Sequence, residues 1–526
     1  MFKRFFKLES TVAGGAIIIA LFSILSRLLG LLRDRLLSAH FGAGKVLDAY
    51  YAAFRLPDLV FNTLVLGALS VAFIPVFLEY FAKDKKEAFK VANSLLNVLL
   101  TIILFLVIVF FIFAPGLTKL MVPGFDFETR LLTIKLTRIM LISILFFTIS
   151  NIAGSILNSF KKWLAYSLAS IMYNLGIIFG IVFLVKKMGF TGLAWGVVLG
   201  AFLHLLIQIP SLLKTGYRPQ FIFNWRHPAV KKISVLMLPR CFALGIRQFN
   251  LIATTFIASS IAVGAVAIYN LAFNLVSFPI GIFGVSLALA VFPVLSQSFI
   301  DGDKTLFAHQ ISKTIRRILY LIIPATALFI ILKTQIVRLI LGTGAFSQQD
   351  IILTAQALAW FSISLFSESL IPVFARAFYA VQDTKTPTII AAISFAINII
   401  GCVFLGHLMK ISGLALAFSI SSVINIGLLY FYLNKKIGDF KKKEIFLSFG
   451  RIIFVSLAMA SFIQIINHKM ALLLNLQTFT GVLIQTICAL IVGILFYLII
   501  TFVLQFPEVE IIRQFIARKF KFHSKD

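Results

Sequence analysis

Runs of twenty to thirty-odd residues with almost no charge follow one another along this chain from end to end. An apolar helix of about 20 residues spans the roughly 30 Å of a bilayer's hydrocarbon. A backbone inside lipid has to satisfy its own hydrogen bonds, which leaves closed barrels or helices, and runs of this length select helices. The 526 residues are 60% hydrophobic and only 13% charged, with a mean hydropathy of +1.03. That balance excludes a soluble globular protein. The sequence predicts an all-α, polytopic membrane protein with about fourteen spans, near 12–39, 47–79, 91–115, 131–158, 163–186, 189–213, 233–262, 266–298, 314–342, 350–380, 386–408, 411–433, 447–467 and 474–505. The N-terminus is basic and then apolar without a small-residue cleavage site, so it reads as a first helix rather than a removed signal.

The formal charge of +29 does not indicate nucleic acid, because the basic residues sit in short loops beside apolar spans. One set of loops carries Lys83, Lys85, Lys86, Lys90, Lys161, Lys162, Arg218, Arg226, Lys231, Lys232, Arg316, Arg317, Lys435, Lys436 and the tail after Arg518. The alternate loops hold far less, chiefly Lys45 and a stretch with Asp126 and Glu128; Lys186 and Lys187 oppose the trend. The positive-inside rule then places both termini in the cytoplasm. The three cysteines, Cys241, Cys402 and Cys488, lie inside apolar runs without metal-ligand spacing and read as buried thiols.

The chain also repeats itself. AFIPVFLEYFAKDKKEAF (72–89) resembles AVFPVLSQSFIDGDKTLF (290–307), with Pro75 matching Pro293. SILNSFKKWLAYSLASIMYNLGI (155–177) resembles FYAVQDTKTPTIIAAISFAINII (378–400), pairing Asn158 with Gln382, Lys161 with Lys385 and Asn174 with Asn398; GLAWG (192–196) meets GLALA (413–417). The expected organisation is a six-helix lobe over 1–215, a cytoplasmic linker at 216–232, a second six-helix lobe over 233–435, and two further helices with a basic tail over 436–526. Six is even, so the lobes are parallel repeats around a central cavity, where such transporters hold their substrate.

Charges inside spans mark candidate sites, because each costs about 2.5–3.5 kcal/mol at bilayer depth even on lenient scales. The first span holds Arg27, Arg33, Asp34 and Arg35. Arg27 and Asp34 are seven apart and share a helix face; Arg33 joins them only if the helix breaks, for which Gly30 is the candidate. Asp48 and Arg55 repeat the spacing of seven, as do Arg240 and Arg247 in the seventh span; Asn270 and Asn274 follow in the eighth, and Glu368 and Arg376 in the tenth. The candidate substrate-binding set is Arg27, Arg33, Asp34, Asp48, Arg55, Arg247 and Asn274, suited to an anion held by charge-assisted hydrogen bonds. Interfacial snorkelling and structural ion pairs are the competing readings for Arg35, Arg240, Asp48 and Arg55. His204 near Gln208 reads as interhelical hydrogen bonding. No catalytic motif, metal spacing or nucleotide loop is present, so the chain reads as a transporter rather than an enzyme, with no cofactor and with an ion gradient or membrane potential as the drive.

SRLLGLLRDRLLSAHFGAGKVLDAYYAAFRLPDLVFNTLVLGALSVAFIPVF, FYAVQDTKTP and GLALAFSISSVINIGLLYFYL together resemble the MurJ (MviN) lipid II flippases of bacterial cell-wall synthesis, within the multidrug/oligosaccharidyl-lipid/polysaccharide exporter superfamily. The resemblance covers nearly the full length. It implies fourteen helices, a V-shaped cavity between two lobes and a groove along the last two helices for a polyprenyl tail. It also implies residence in the bacterial cytoplasmic membrane. The cargo implied is a polyprenyl-pyrophosphate-linked glycopeptide moved from inner to outer leaflet by alternating access. Other cell-wall synthesis proteins are implied as possible partners. The family's cavity arginines fall on Arg27 and Arg33, its aspartates on Asp34 and Asp48. The chain departs from the pattern at Phe61, Asn62, Leu66 and Asn274, where relatives carry charge, and Arg247 is the candidate compensation. The alternatives are a flippase for another polyprenyl-linked oligosaccharide, an ion-coupled drug exporter, an integral membrane enzyme on polyprenyl phosphates, and a non-transporting scaffold. Arginines rather than clustered carboxylates weigh against the exporter and the enzyme.

Overall fold

A computed structural model describes residues 12–66 and 72–510. Among the described residues there is no strand. The helices are α1 Val12–Phe41, α2 Lys45–Ala53, α3 Arg55–Val60 (continued by a π-helical turn, Phe61–Val65), α4 Ile74–Lys83, α5 Lys85–Met121, α6 Phe127–Ser159, α7 Trp163–Phe179 (continued to Met188), α8 Thr191–Leu206, α9 Ile209–Lys214 and α10 Pro228–Ser259. Then come α11 Ala265–Pro279, α12 Ser286–Ile300, α13 Lys304–Ile331, α14 Lys333–Ile340, α15 Gln348–Ser362, α16 Leu365–Ala380, α17 Lys385–Met409, α18 Ile411–Ile437, α19 Lys442–Leu473 and α20 Phe479–Val503. Among the described residues eleven helical segments are long and apolar enough to cross a membrane, and the bent pair α15–α16 makes twelve. The two other expected spans fall on α1, which carries the charges, and on the broken run α2 to α4.

Contacts divide the chain into two compact units. The first runs up to Asn270 and takes in Leu341–Asp350; the second is Leu271–Ile340 and the chain from Ile351 onward. Packing therefore assigns α10 to the first unit, whatever its place in the repeat.

In the first unit α7 and α8 approach through glycines. A Cβ on Gly176 would sit 2.3 Å from the Cα of Gly200, and one on Gly180 would sit 2.4 Å from the Cα of Gly196. Small residues four apart let helices close to backbone contact, where dispersion gains replace the absent hydrophobic drive in lipid. In the second unit α17 and α18 keep one such approach, where a Cβ on Gly401 would sit 3.0 Å from the Cβ of Ala417, while Ile397 and Ser421 stand where the first unit has Gly176 and Gly200.

The repeat shows in the backbone. Left-handed turn residues recur at Lys161 and Gln382, at Gly189 and Lys410, and at Gly216 and Gly438. The first two pairs are 221 residues apart and the third 222. The hydrogen bonds of the first pair also repeat, Lys162 N–H to Leu157 O and Asp383 N–H to Phe378 O. This corrects the residue pairing drawn from sequence across this region. Lys161 matches Gln382 rather than Lys385, and with Gly180 matching Gly401 at the same spacing, Asn174 matches Phe395 rather than Asn398. Similar side chains three residues out of step had misled the alignment, whereas turn geometry admits no slip.

α1 runs unbroken through Gly30, so the expected break is absent. Its C-terminal corner is clamped from two sides. Gly344 (φ +61°) lies against Ala39, where a Cβ would meet the carbonyl oxygen at 2.2 Å, and Ala345 N–H donates to that oxygen at 2.8 Å. Gly264 (φ +85°) lies equally close to Ala43 O. Only glycine fits such positions.

Candidate functional site

Each charged residue singled out from sequence has a definite placement. Arg33 reaches back to its neighbour, with Nε and Nη2 donating to Asp34 Oδ1 at 3.0 and 2.8 Å. Its Nη1 donates to Asn174 Oδ1 on α7 at 3.4 Å. Asn174 is held in turn by donating to Ser26 O, Ser26 Oγ and Ser170 O, at 3.1 to 3.2 Å. The ion pair is asymmetric in burial: the Asp34 side chain is 4% exposed and that of Arg33 is 22%. The carboxylate thus neutralises and aims a guanidinium that still has surface to offer. Arg27 is half-buried on the same helix. The sequence expected Arg27 and Asp34 to form the group; the long side chain of Arg33 instead reaches Asp34 from the adjacent position without any break in the helix.

Asp48 and Arg55 are buried but do not join this group. The Asp48 carboxylate accepts the backbone N–H groups of Gly264 and Ala267, at 2.5 and 2.8 Å, and so caps the N-terminus of α11. Arg55 donates from Nε to Thr255 Oγ1 at 2.7 Å and from Nη2 to Asn270 Oδ1 at 2.8 Å. Partners some two hundred residues away lie beyond any local spacing rule. Arg247 is exposed and forms no hydrogen bond or ion pair among the described residues. Asn274 is half-buried and belongs to the second unit. Glu368, also in the second unit, accepts from Ser422 Oγ at 2.7 Å, and Arg376 donates to Pro372 O at 3.4 Å.

Beside the Arg33 group, the first unit contains a cavity of about 340 Å³. Asn174 and Ser26 form one wall, the aromatic rings of Phe61, Phe147 and Tyr173 another, and Asp58, Asn62 and Asn151 contribute polar groups. At one end Ser150 Oγ lies 2.6 Å from His204 Nδ1, and Gln208 Nε2 donates to the same hydroxyl at 2.6 Å. That is the interhelical network expected for His204, and it also lines the cavity. Sequence reasoning passed over Asp58, Ser150, Asn151 and Tyr173. The available signal was polar residues inside apolar spans, Asp58 above all, an acid well inside the second span. Among the described residues no group of three or more His, Cys, Asp or Glu side chains could hold a metal ion; Cys241 and Cys402 are buried thiols as expected, whereas Cys488 is only partly buried.

Loop contacts group the chain ends. Lys45 Nζ pairs with Asp126 Oδ2 at 3.0 Å, and hydrogen bonds from Thr129 and then Lys45 hold the Asp126 carboxyl below its usual range. Elsewhere in this unit Lys232 pairs with Glu79 at 2.8 Å and His227 lies 3.1 Å from Glu87.

The family model described as lipid II flippase MurJ matches residues 37–482. A lipid II flippase MurJ from Burkholderia cenocepacia is 31% identical, covering 79% of this chain and 82% of its own length. A probable lipid II flippase MurJ from Vibrio cholerae is 32% identical, covering 79% and 81%. The solved structure of a lipid II flippase MurJ in an inward closed conformation superposes with a TM-score of 0.77 at 27% identity, covering 93% of this chain and all of that one. An inward-facing multidrug-resistance MATE transporter shares the fold, with a TM-score of 0.69 at 16% identity.

Proposed function

The chain belongs to the lipid II flippase MurJ family, and from that premise we propose how its own residues carry the cargo. It is a transporter of the cytoplasmic membrane, not an enzyme, and it moves lipid II from the inner to the outer leaflet by alternating access. A pyrophosphate-linked headgroup cannot cross bare hydrocarbon, because its charges and hydroxyls would lose their water.

Arg27 and Arg33 replace that hydration with charge-assisted hydrogen bonds to the pyrophosphate. Asp34 is a positioning residue that keeps Arg33 charged and aimed. The observation that carries this reading is the Arg33–Asp34–Asn174 constellation, built between two long helices and keeping part of the guanidinium exposed. Arg247, exposed and unpaired, supplies a further cation, and Asn274 a polar contact. Asp48 and Arg55 act through the framework, holding α10 and α11 in register.

The functional lobes follow the repeat, 1–215 and 233–435, joined by the linker 216–232, with 436–526 adding two helices for the polyprenyl tail. Both termini are cytoplasmic. Supporting this, Lys45 pairs with Asp126 and Lys232 with Glu79, so each set of loop ends keeps to the company the charge rule gave it. The drive is the membrane potential or an ion gradient; one charge crossing 100 mV releases about 2.3 kcal/mol. Other cell-wall synthesis proteins are its proposed partners.

The test is rescue of a bacterial host depleted of its own lipid II flippase. The unmodified chain should restore growth and export, and Arg33→Ala should not. Growth restored equally by Arg27→Ala and Arg33→Ala would refute the arginine mechanism, and no rescue by a well-expressed unmodified chain would point to another cargo.

A further inference from the structure

We propose that a small cavity of the second unit binds the headgroup of a zwitterionic phospholipid, one that carries a primary ammonium beside its phosphate. The site is separate from the Arg33 group and does not depend on what the chain carries.

The cavity lies where α13, the first turns of α19 and a short turn after α20, Pro507–Val509, come together, and its volume is about 250 Å³. Glu444, Ser448 and Arg451 line it from one face of α19, at spacings of four and three residues. Arg316 and Glu508 close it from α13 and from the turn. Arg316 stands between two carboxylates, with Nη2 3.4 Å from Glu444 Oε2 and Nη1 3.8 Å from Glu508 Oε1. Ser448 Oγ donates to Glu508 Oε1 at 2.8 Å, and Lys441 Nζ lies 2.9 Å from Glu444 Oε1.

These bonds leave complementary groups unserved. The Glu508 side chain is 3% exposed and that of Arg316 14%. Yet Glu508 Oε2 accepts no hydrogen bond and Arg316 Nε donates none. One needs a donor and the other an acceptor. Arg451, exposed on the same wall, forms no hydrogen bond or ion pair among the described residues. Buried polar groups are paired as a rule, so an orphan donor and an orphan acceptor in one cavity call for a ligand that supplies both partners. A phosphoethanolamine group does so. Its phosphate oxygens meet Arg316 Nε and Arg451, and its ammonium donates to Glu508 Oε2. The volume is that of roughly eight waters in the liquid, enough for such a group.

The surroundings make the ligand a lipid. Phe446, Leu447 and Phe454 flank Arg451 on α19 and are 63%, 52% and 73% exposed, so this cation stands on an apolar surface, as an arginine at a membrane interface does. Lys441, Lys442 and Lys443 mark the end of α19 that the charge rule gives to the cytoplasm. The cavity residues of α19 follow within about 12 Å of helix, which keeps them near headgroup depth.

Charge and donor count separate the rival occupants. Two arginines and two glutamates line the cavity, a balance that suits a zwitterion. An anionic headgroup would set its phosphate among those carboxylates and bring no cation for them. A phosphocholine carries methyl groups where Glu508 Oε2 needs an N–H. Water would serve both orphans and would show no preference among lipids.

The experiment counts lipids bound to the detergent-purified full chain by native mass spectrometry, with short-chain phosphatidylethanolamine, phosphatidylcholine and phosphatidylglycerol as probes. The unmodified chain should bind the ethanolamine lipid at least about tenfold more tightly than either of the others, equivalent to about 1.4 kcal/mol. Glu508→Gln should bring the ethanolamine and choline lipids within about twofold of each other. Arg451→Ala should weaken the ethanolamine lipid about tenfold, and its exposed position keeps the test decisive if Glu508→Gln fails to fold. Equal affinity for the three lipids would leave the cavity to water and overturn the proposal. Tightest binding of phosphatidylglycerol would make it an anion site and overturn the proposal as well. Ethanolamine-lipid affinity unchanged in either variant would put that lipid elsewhere on the chain.

Discussion

In the first unit, Gly180 and Gly196 bring α7 against α8, and one and a half turns before Gly180 the same helix presents Asn174 to Arg33. In the second unit, Gly401 brings α17 against α18, and the residue in Asn174's position is Phe395. The pattern extends to the cavity. At the spacing of 221 set by the turns, Ser150 becomes Ile371 and Gln208 becomes Leu429. Two lobes of one ancestry therefore keep their turns and the close approach at Gly180 and Gly401, while Ser150, Asn174 and Gln208 of the first are apolar residues in the second. Backbone packing fixes the geometry of the turns and of the approach at Gly180 and Gly401, so that geometry survives duplication even where the residue changes, as from Gly189 to Lys410. Side chains facing a cavity carry no such constraint and are free to diverge toward binding in one copy and filling in the other.

The sharpest break of this comparison is at Asp34. Asp34→Ala leaves the Arg33 guanidinium without its carboxylate and should destabilise the first unit by about 3–5 kcal/mol. Phe395→Leu, at the uncharged position of the second unit that matches Asn174, should cost under about 1.5 kcal/mol. Thermal unfolding of purified protein in detergent reads both, and equal effects would remove the distinction between the lobes.

The glycine contacts give a contrast of sign. In a helix Gly→Ala ordinarily gains about 1 kcal/mol. Gly196→Ala, which writes the second lobe's residue into the first, puts a Cβ 2.7 Å from Gly180 Cα and should instead lose about 1–3 kcal/mol. Stabilisation by Gly196→Ala in the same melt would show that the first interface has slack.

Asp48→Ala should cost about 1–2 kcal/mol by removing the cap on α11, and Asp48→Asn should recover part of that, since one amide oxygen still accepts. A loss of transport without loss of melting temperature would make Asp48 a substrate contact rather than a cap.

The smallest effect lies in the loop before α17. Burial opposes ionisation of Asp383, but Lys436, 2.7 Å away, and Thr386, which donates from both its backbone N–H and its hydroxyl, outweigh it and hold the carboxyl at about 2. A carboxyl depressed on folding adds stability above its unfolded value of about 3.9, and that contribution is lost as pH falls through the folded value. The unmodified chain should therefore exceed Asp383→Asn in melting temperature above about pH 4, with the gap closing toward pH 2. A constant gap would rule out the ion pair as its source.

Much of this was legible in advance. Length and apolarity dictated helices, and the repeat was visible at GLAWG and GLALA because Gly192 and Gly413 each lie directly against neighbouring backbone. The register between them was not, since Asn174 and Asn398 match in kind but not in place, and only turn geometry separates kind from place. Arg27, Arg33 and Asp34 were legible because charge in hydrocarbon is costly. Their pairing was not, because the spacing of seven describes where Cβ atoms point and a guanidinium reaches well beyond its own Cβ. Asp48 and Arg55 entered the candidate binding set for the same reason, yet Asp48 answers to the start of α11 and Arg55 to α10 and α11. The cavity draws its residues from five separate stretches of chain between Ser26 and Gln208, so no window of sequence contained it.

The central claim is that guanidinium groups of the first lobe hold the headgroup while it changes leaflet. Its most direct measurement is translocation of fluorescently labelled lipid II in vesicles reconstituted with the purified chain, alone and as Arg27→Ala, Arg33→Ala. Removing charge-assisted contacts worth about 1.5–3 kcal/mol each should slow translocation by about ten- to a hundredfold per residue, with the protein still folded by its melt. Translocation undiminished in the double variant would contradict the account.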